Sequence, residues 1–345
     1  MAQLLAQAWS RSHLRLHRHL LRHPGLLPDG ASLLLAVSGG QDSMALLGLL
    51  LGLQRLHHWE LSIWHGDHRW RPGSAGQAEE LMAWCREQAL SACCEPWIQA
   101  VAPPMNEAAA RQWRYGALLL QAQALPCSRV VTGHTASDRA ETLLLHLARG
   151  SHRRGLASLR TRRSLVPNAP EPALVRPLLI FDRSETAQIC STLQLPIWLD
   201  PSNGESRFSR NRLRADVLPV LEALHPGAAR RISGTAERLA LEDEARDEWL
   251  DVGLQWLSTA PSGEGHGGPD TGLNRLRLTG LQPVNQIALL EHWIRRLTQQ
   301  PLTAEQLAGL LDRLRPGQPP GRSDLPAGWR LQWDRSKLEL FRPSN

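Results

Sequence analysis

Short apolar runs alternate with longer segments of helical character through the first half of the chain. The first run, Ser32–Val37, lies between Gly30 and the tripeptide Ser38-Gly39-Gly40, and the segment Ser43–Leu53 that follows is rich in leucine and alanine. This pattern predicts a strand, a tight turn and a helix. The same alternation is predicted three more times, at Leu61–Trp64 and Gln77–Leu90, at Glu95–Ile98 and Asn106–Gln123, and at Val130–Thr132 and Asp138–Leu147.

Strands that alternate with helices predict an α/β fold with a doubly wound parallel sheet. Such sheets bind their ligands at the carboxyl ends of the strands, near the point where the strand order reverses. We therefore expect the chemistry of this chain in the loops that begin at Ser38, His65 and Gly133.

The alternation weakens after residue 149. The segment 149–180 holds seven arginines and a single acid, Glu171, which predicts a basic excursion from the sheet. A mobile segment is expected, with an ordered lid over 149–175 as the open alternative. A short apolar piece, Pro196–Leu199, is expected to return to the sheet as a strand. Residues 216–257 look helical throughout, and the glycine-rich segment 258–272 predicts a linker.

The last part of the chain predicts a small unit of helices and a hairpin. Helices are expected at Pro283–Leu297 and Ala304–Leu314, and the hairpin strands at Trp329–Gln332 and Lys337–Phe341. We therefore predict three parts, namely a catalytic domain at 1–215, a helical connector and linker at 216–272, and a small C-terminal α+β domain at 273–345.

The composition is that of a folded globular protein. Of its 345 residues 42% are apolar and 21% are charged, and no apolar run approaches the ~18–20 residues of a membrane span, which excludes disordered, fibrous and transmembrane classes. Five cysteines without a C-x-x-C pair argue against a disulfide scaffold or a zinc ribbon and favour a reducing, cytoplasmic location. The net charge of +6 favours a polyanionic partner.

The sharpest chemical signal is the hexapeptide Ser38-Gly39-Gly40-Gln41-Asp42-Ser43, between a predicted strand and a predicted helix. Two glycines allow the backbone to approach a phosphate, and the serine hydroxyls and the helix N-terminus supply hydrogen-bond donors. Asp42 fits beside phosphates if Mg²⁺ lies between them, because this ion binds carboxylate and phosphate oxygens together. We therefore predict a nucleotide site. A Walker A loop is excluded, because Lys337 is the only lysine.

The hexapeptide resembles the PP-loop of the N-type ATP pyrophosphatases, which share the adenine nucleotide alpha hydrolase-like fold, cleave ATP between the α and β phosphates and adenylylate a carbonyl oxygen. Further motifs follow along the chain in a fixed order. They are Asp67-His68-Arg69-Trp70-Arg71, Asn106-Glu107-Ala108 with Arg111 and Arg114-Tyr115, the segment 132–142, Arg149-Gly150-Ser151, Arg176-Pro177-Leu178-Leu179, Asp200-Pro201-Ser202-Asn203 and Arg210-Asn211-Arg212-Leu213-Arg214. Together they resemble the tRNA(Ile)-lysidine synthetase family, from about residue 30 to 230.

This resemblance implies an ATP-dependent ligase that joins free L-lysine to C2 of the wobble cytidine in the CAU anticodon of tRNA(Ile). The cytidine is first adenylylated, and the lysine amine then displaces AMP, so the products are lysidine, AMP and pyrophosphate. Codon reading thereby changes from AUG to AUA, and amino-acid identity from methionine to isoleucine. The implied co-substrate is ATP, the implied metal is Mg²⁺ and no membrane is involved. The oligomeric state is open, with a homodimer as one candidate.

The resemblance also implies roles for individual residues. Catalysis is implied for Asp42, His134 and Asp138, with Mg²⁺ on Asp42. ATP binding is implied for Ser38, Gly39, Gly40, Gln41, Asp42, Ser43 and His68. Lysine binding is implied for Asp138, Glu141 and Arg114, and tRNA binding for Arg111, Arg207, Arg210, Asn211, Arg214 and the small C-terminal domain.

The acids after the fourth predicted strand suit an amino acid with two ammonium groups. Asp138 and Glu141 are three positions apart, so they share one face of a helix beside His134. One of the carboxylates could take a proton from the attacking amine. Thr135 and Asp138 also match a helix capping box, so a purely structural role for Asp138 is an open alternative here.

Two positions depart from the family pattern. The second-strand motif usually reads Asn-His-Gly-Leu-Arg, whereas this chain has Asp67 and Arg69 at its first and third positions. Thr135 stands where the family often has a second histidine. The sequence therefore leaves open which turn follows the second strand and whether a nucleobase is bound there.

Two other functions are compatible with a PP-loop. A PP-loop tRNA thiolase is one, although sulfur transfer normally needs a paired or cluster-binding cysteine set that this sequence lacks. A catalytically inactive tRNA-binding module is the other, although Asp42, His134, Asp138 and Glu141 are all present. The ligase is the function that the motifs favour.

Overall fold

The computed structural model describes residues 9–69, 73–97, 107–166, 169–198, 209–259 and 272–343. Several predicted features lie outside these ranges, namely Arg207, the motif at 200–203, Asn106 and most of the linker at 258–272. The chain divides into two compact units, Met1–Ala240 and Leu241–Asn345. The three-part division by function stays a prediction. Within the described ranges, no helix has both the length and the apolar character that crossing a membrane requires.

The first unit is built on a sheet that, among the described residues, has six strands. They are β1 (Ser32–Ala36), β2 (Glu60–Asp67), β3 (Ser91–Pro96), β4 (Arg129–Thr132), β5 (Arg162–Ser164) and β6 (Ala173–Val175). Their order is β3-β2-β1-β4-β6-β5, and the neighbours are parallel except for β5, which is antiparallel to β6. The predicted doubly wound parallel sheet is confirmed. The strand order reverses between β1 and β4.

Helices cover both faces of this sheet. They are α1 (Arg11–Arg22), α2 (Gln41–His57), α3 (Ser74–Glu87), α4 (Glu107–Ala124), α5 (Ala136–Ala148), α6 (Arg153–Leu156), α7 (Arg183–Thr192), α8 (Ser209–Arg212), α9 (Leu218–Leu224) and α10 (Ala228–Leu257), which ends in the second unit. A π-helical turn, Leu213–Val217, joins α8 to α9.

The central strand explains why the sequence forms this sheet. Leu33 and Leu35 of β1 face one apolar cluster and Leu34 faces the other, and all three are fully buried. A strand buried on both faces is a continuous apolar run, as in parallel sheets with helices on each side. Helix α2 is buried on almost every side for the same reason, which accounts for its high leucine content.

Three predictions about the later strands need correction. The third strand begins at Ser91 rather than Glu95; its small, half-exposed residues give a weak strand signal at the edge of the sheet. The segment 149–180 is not one irregular excursion, because it contains α6, β5, β6 and a 3₁₀ turn, Pro177–Ile180. Pro196–Leu199 does not return as a strand over its described residues 196–198. The place beside β4 is already filled by β6.

Two buried arginines order the segment that looked mobile. Arg139 of α5 donates from Nε to the carbonyl of Leu159 at 3.1 Å and from a terminal nitrogen to the hydroxyl of Thr161 at 2.9 Å. Arg176 donates to the carbonyl of Arg160 at 2.5 Å. Buried guanidinium groups that bind backbone carbonyls tie the strand β5 to the centre of the unit.

The second unit has its own sheet and its own apolar core. Its described elements are β7 (Gly272–Asn274), α11 (Arg275–Thr279), α12 (Pro283–Thr298), α13 (Ala304–Leu314), β8 (Gly321–Leu325), β9 (Trp329–Trp333) and β10 (Lys337–Phe341). The two predicted helices and the hairpin of β9 and β10 are confirmed. The strands β7 and β8, which complete the order β7-β10-β9-β8, were not predicted.

Arg275 is the polar centre of this second unit. It is 3% exposed, and its guanidinium donates to backbone carbonyls from several segments. The acceptors are the carbonyls of Leu314, Asp334, Arg313, Arg315 and Gln318, at 2.6 to 3.4 Å. One side chain thus joins the end of α13, the loop before β8 and the turn between β9 and β10.

Replacing Arg275 with methionine is expected to lower the free energy of unfolding of the second unit by about 3–5 kcal/mol, because several buried carbonyls lose their donor. Arg277→Met is the matched control, since Arg277 is exposed and lies over the ring of Trp256. Denaturant unfolding followed by tryptophan fluorescence measures both. Equal stabilities of the two variants would show that the Arg275 contacts contribute little.

Candidate active site

The loops after β1 and β4 meet at the point where the strand order reverses. Gly133 is where they touch: a Cβ atom on this residue would lie 2.8 Å from the carbonyl oxygen of Asp42 and 3.0 Å from the Cα of Ser43. The neighbouring atoms are backbone, so no side chain can move aside. A glycine is therefore required at this contact, and the two predicted active-site segments lie side by side.

The hexapeptide 38–43 forms a tight turn into α2. Gly39 has φ of +81°, a conformation that L side chains rarely adopt, and Gly40 precedes the first residue of the helix. The hydroxyl of Ser43 donates to the carbonyl of Gly40 at 2.8 Å, and the backbone N–H of Ser38 donates to the same hydroxyl at 3.2 Å. The turn thus presents a helix N-terminus without a side-chain cap, as anion sites on helices do.

Asp42 lies at the start of α2 with little exposure to solvent. Its Oδ1 accepts a hydrogen bond from the hydroxyl of Thr186 at 2.5 Å, and its Oδ2 lies 3.3 Å from a guanidinium nitrogen of Arg183. Burial raises the pKa of the Asp42 carboxyl, Arg183 lowers it, and the nearby carboxylate of Asp138 raises it further, with a net upward shift. The ionised form of Asp42 is thus destabilised by burial and by Asp138, and a further cation beside it would stabilise that form.

Arg183 and Thr186 were not predicted as site residues. Both lie in the first turn of α7, and Gln41 donates from its side chain to the carbonyl of Arg183 at 2.7 Å and to the hydroxyl of Thr186 at 2.8 Å. An arginine as the first residue of a helix opposes the helix dipole. That misfit is the signal in the sequence that could have found Arg183.

Asp138 caps α5 and also faces the site. Its Oδ2 accepts hydrogen bonds from the backbone N–H and the hydroxyl of Thr135, both at 2.8 Å, so the capping box is present. Burial alone would raise the pKa of Asp138, but hydrogen bonds from the two groups of Thr135 and the positive charge of Arg210 hold it below its ordinary value. A carboxylate kept ionised by its surroundings is suited to holding an ammonium group.

His134 stays neutral in this setting. Its Nδ1 lies 2.9 Å from the hydroxyl of Thr132. Burial lowers the pKa of the imidazole to about 3, and the positive charge of Arg176 lowers it as well. A neutral imidazole can accept a hydrogen bond, which an imidazolium cannot.

Glu141 already has a strong partner. Arg214 donates from Nε to Oε1 at 2.8 Å and from a terminal nitrogen to Oε2 at 3.0 Å, which is a bidentate ion pair. The Glu141 side chain is 1% exposed. Burial raises the pKa of its carboxyl, while Arg214 opposes the shift. Arg214 also lies 3.6 Å from Asp138, so it spans both predicted lysine-binding carboxylates.

The remaining residues predicted for the site lie in two places, against α5 and at the carboxyl end of β2. Arg210 donates to the hydroxyl of Thr142 at 2.7 Å and lies 3.6 Å from Glu141, against the same face of α5 as Arg214. Asn211 follows it on α8, half-buried. On the opposite side, Arg114 lies 2.7 Å from Nε2 of His68, at the carboxyl end of β2.

The unusual motif after β2 has a structural explanation. Asp67 is buried, and its Oδ1 accepts a hydrogen bond from the backbone N–H of Arg69 at 3.0 Å. Arg69 has φ of +54°, the left-handed conformation that favours glycine. The carboxylate of Asp67 thus stabilises the turn that a glycine at position 69 would form without strain.

The donor set around Asp42 fits a magnesium ion shared with phosphates. The ion prefers oxygen ligands and is usually held by one or two protein carboxylates together with phosphates and water. Asp42 offers such a carboxylate beside the glycine turn, with Asp138 close enough to raise its pKa. Within the described ranges no three His, Cys, Asp or Glu side chains form a metal cage, and a phosphate-bridged ion does not require one.

Comparison with known proteins places this site in a family. Residues 13–221 match the PP-loop domain. The tRNA(Ile)-lysidine synthase of Parasynechococcus marenigrum (strain WH8102) is 50% identical over 345 residues, covering 99% of this chain and 97% of that protein. The synthases of two Prochlorococcus marinus strains, SARG and NATL1A, are 42% and 36% identical, each covering 96% of this chain and 97% or 100% of their own. This chain belongs to the tRNA(Ile)-lysidine synthase family.

Members of the tRNA(Ile)-lysidine synthase family are ligases, so the chain is an enzyme with a PP-loop ATP-binding domain. A solved structure, the U34-tRNA thiolase NcsA of Methanococcus maripaludis with its [4Fe-4S] cluster, matches with a TM-score of 0.56 and 15% identity, covering 70% of this chain and 83% of that one. At that identity the likeness shows the shared fold alone.

A methyl group at the contact between the two loops tests this geometry. Gly133→Ala is expected to lower kcat/KM for ATP by about 10²-fold, because the displaced loop misplaces Asp42 relative to the phosphates. Gly116→Ala is the control, since a Cβ atom there meets nothing within 4 Å. Steady-state kinetics with varied ATP measure the effect. Full activity of Gly133→Ala would show that the contact between the two loops tolerates a methyl group.

Proposed function

We propose that the enzyme joins free L-lysine to C2 of the wobble cytidine in the CAU anticodon of tRNA(Ile), with ATP as the co-substrate. The observation that carries this proposal is the meeting of the PP-loop with the acids of α5 at Gly133, in a chain of the lysidine synthase family. The first element suits ATP, and the second suits an amino acid with two ammonium groups. The product anticodon would read AUA rather than AUG and specify isoleucine.

The first step of the proposed reaction activates the cytidine. Its O2 attacks the α-phosphorus of ATP, the bond to the β-phosphate oxygen breaks, and pyrophosphate leaves with the electron pair. The turn at Gly39 and Gly40, with Ser38 and Ser43, holds the phosphates through backbone N–H and hydroxyl donors. Mg²⁺ on Asp42 would supply neutralisation of the phosphate charge.

The second step forms the carbon–nitrogen bond. The ε-amine of lysine attacks C2, AMP leaves with the oxygen, and one proton must leave the ammonium before the attack because its reference pKa is about 10.4. Asp138, ionised and facing the site, is suited to bind the amine and take that proton. Neutral His134 can accept a hydrogen bond next to it.

Glu141 would bind lysine in competition with Arg214. The guanidinium now occupies both Glu141 oxygens and lies near Asp138, which are the positions proposed for the substrate ammonium groups. A substrate with two ammonium groups would therefore share these acids with Arg214 or displace it. Because Arg214 and Arg210 belong to the segment proposed to face tRNA, lysine binding and tRNA binding would be coupled through α5.

Further residues in each of the two units are proposed to contact tRNA. Arg111 is exposed on α4, and Arg207, which lies outside the described residues, completes the proposed set. In the second unit, exposed Arg277 lies over Trp256 and exposed Arg342 over Trp329. Such arginine and tryptophan pairs suit phosphate and base contacts. We propose that this unit recognises tRNA and that the enzyme is cytoplasmic.

The stoichiometry of the products tests the proposal. Purified enzyme is incubated with ATP, Mg²⁺, labelled L-lysine and a tRNA(Ile) transcript with a CAU anticodon. Lysine in RNA, AMP and pyrophosphate are expected in equal amounts, and none when the wobble cytidine is replaced by uridine. Release of ADP, or lysine incorporation independent of the wobble base, would contradict the proposed function.

A further inference from the structure

Three arginines converge on one tyrosine beside the proposed lysine site. The guanidinium of Arg111 lies 5.1 Å from the ring centre of Tyr115, and that of Arg163 lies 4.6 Å from it. Arg176 lies close enough to Tyr115 that its positive charge lowers the pKa of the phenol, together with Arg111 and Arg163, although burial raises it. We name Tyr115, Arg163 and Arg176 the inner arginine cluster.

This cluster lies at the active edge of the sheet. Val175 of β6 pairs with Val131 of β4, so Arg176, the next residue, lies beside Thr132, whose hydroxyl contacts His134. Arg163 comes from β5, where it pairs with Leu174. Leu174 and Tyr115 belong to the same apolar cluster on one face of the sheet, so both arginines and the tyrosine meet on that face.

The cluster has positive charge without a matching acid. In the part of the chain that the structure describes, no carboxylate lies within ion-pair distance of Arg111, Arg163 or Arg176. Arg176 is 1% exposed, and its Nε–H has no acceptor within the described ranges. Tyr115 offsets part of the charge of Arg176, and the carbonyl of Arg160 accepts from one of its terminal nitrogens. The Nε–H is still a buried donor without an acceptor, which calls for an explanation.

We propose that the inner arginine cluster binds the α-carboxylate of the free amino-acid substrate and makes the enzyme select an amino acid over a simple diamine. This inference rests on the proposed function. Asp138 and Glu141 lie in the first two turns of α5, which begins two residues after His134, and Arg176 lies beside Thr132, whose hydroxyl contacts His134. Opposite charges near one imidazole match a substrate that carries a carboxylate and two ammonium groups.

The burial of Arg176 favours a carboxylate over a tRNA phosphate. A phosphodiester is part of a bulky chain and meets arginines at the surface, where Arg111 is exposed. A free amino acid can carry its carboxylate to a side chain that is almost closed to solvent. The phosphates of ATP, in turn, are proposed to bind at the turn after β1, on the far side of β4.

The test combines a substrate analogue with a matched pair of variants. L-Lysinamide keeps both ammonium groups of lysine and lacks the carboxylate. In the wild-type enzyme its apparent KM is expected to exceed that of L-lysine by about 10- to 100-fold, the factor for one lost charged hydrogen-bond partner. In Arg163→Gln that ratio is expected to fall towards one, because the KM for lysine rises while that for lysinamide does not.

Arg162→Gln is the control. Arg162 is the preceding residue of β5 and pairs with Val175, which faces the other apolar cluster, so the same charge is removed on the opposite face. The ratio of KM values should keep its wild-type size there. Tyr115→Phe gives a second variant that keeps the ring and removes the hydroxyl, and an intermediate ratio is expected.

Two outcomes would overturn the inference while leaving the proposed function intact. One is an unchanged preference for lysine over lysinamide in Arg163→Gln. The other is a higher KM for tRNA with a flatter salt dependence, equal for both amines, which would assign the cluster to phosphate. Absence of lysine incorporation by the wild-type enzyme would instead overturn the proposed function and this inference with it.

Discussion

Replacing Asp42 with asparagine is expected to slow tRNA-dependent adenylylation by about 10²- to 10³-fold, while tRNA binding stays close to that of the wild-type enzyme. The carboxylate lies at the PP-loop, partnered by Thr186 and Arg183, and it is the residue proposed to hold Mg²⁺. Asparagine keeps the size of the side chain and an acceptor for Thr186 but removes the charge. Exchange of labelled pyrophosphate into ATP in the presence of tRNA measures the step directly.

Glu185→Gln is the matched control for Asp42. It removes an acid from the first turn of α7 whose partners are Arg15 and Arg230 rather than the PP-loop. Its exchange rate should equal that of the wild-type enzyme. An unchanged rate in Asp42→Asn would refute the assignment of the metal and of the catalytic role to this residue.

Replacing Glu141 with glutamine is expected to raise the apparent KM for lysine by about 10- to 100-fold and that for ATP by much less. The buried carboxylate faces a site proposed for an ammonium group, and glutamine has no charge to attract it. Initial rates with lysine and ATP varied separately give the two constants.

A structural role of Glu141 makes a different prediction. If this acid only anchors Arg214, then Arg214→Gln should give the same loss, and the double variant should be no worse than either single variant. If Glu141 binds lysine in competition with Arg214, Arg214→Gln should lower the KM for lysine or leave it unchanged. A parallel rise of the lysine KM in both single variants would contradict the lysine-binding role.

The sequence was enough to predict the sheet and the segments of the site because both depend on local patterns. The run at 33–37 is apolar throughout, and the turn at Gly39 follows at once, so a buried strand and its loop can be recognised from neighbouring residues. The capping box at Thr135 and Asp138 is local in the same way, and both its hydrogen bonds are present. The requirement for glycine at position 133 could not be recognised in this way, because it arises from contact with the backbone of Asp42 and Ser43, which are far away in the sequence.

Long-range pairing is what the sequence could not show. Arg214 belongs to a basic run for which the family resemblance implies tRNA binding, and nothing local shows that its guanidinium also binds Glu141, 73 positions earlier. Arg139 and Arg176 order the segment 149–180 by binding backbone carbonyls that no periodicity of the sequence reveals. An arginine can bind buried polar groups or remain exposed at the surface, and the local sequence does not show which of the two occurs.

The position of lysine in the product tests the central claim most directly. tRNA(Ile) with a CAU anticodon is treated with the enzyme, ATP and lysine, digested to nucleosides and analysed by mass spectrometry. The account predicts that the wobble cytidine is lost and that one nucleoside appears with the mass of cytidine plus lysine minus water. An unmodified wobble cytidine, or the added mass on another nucleoside, would contradict it.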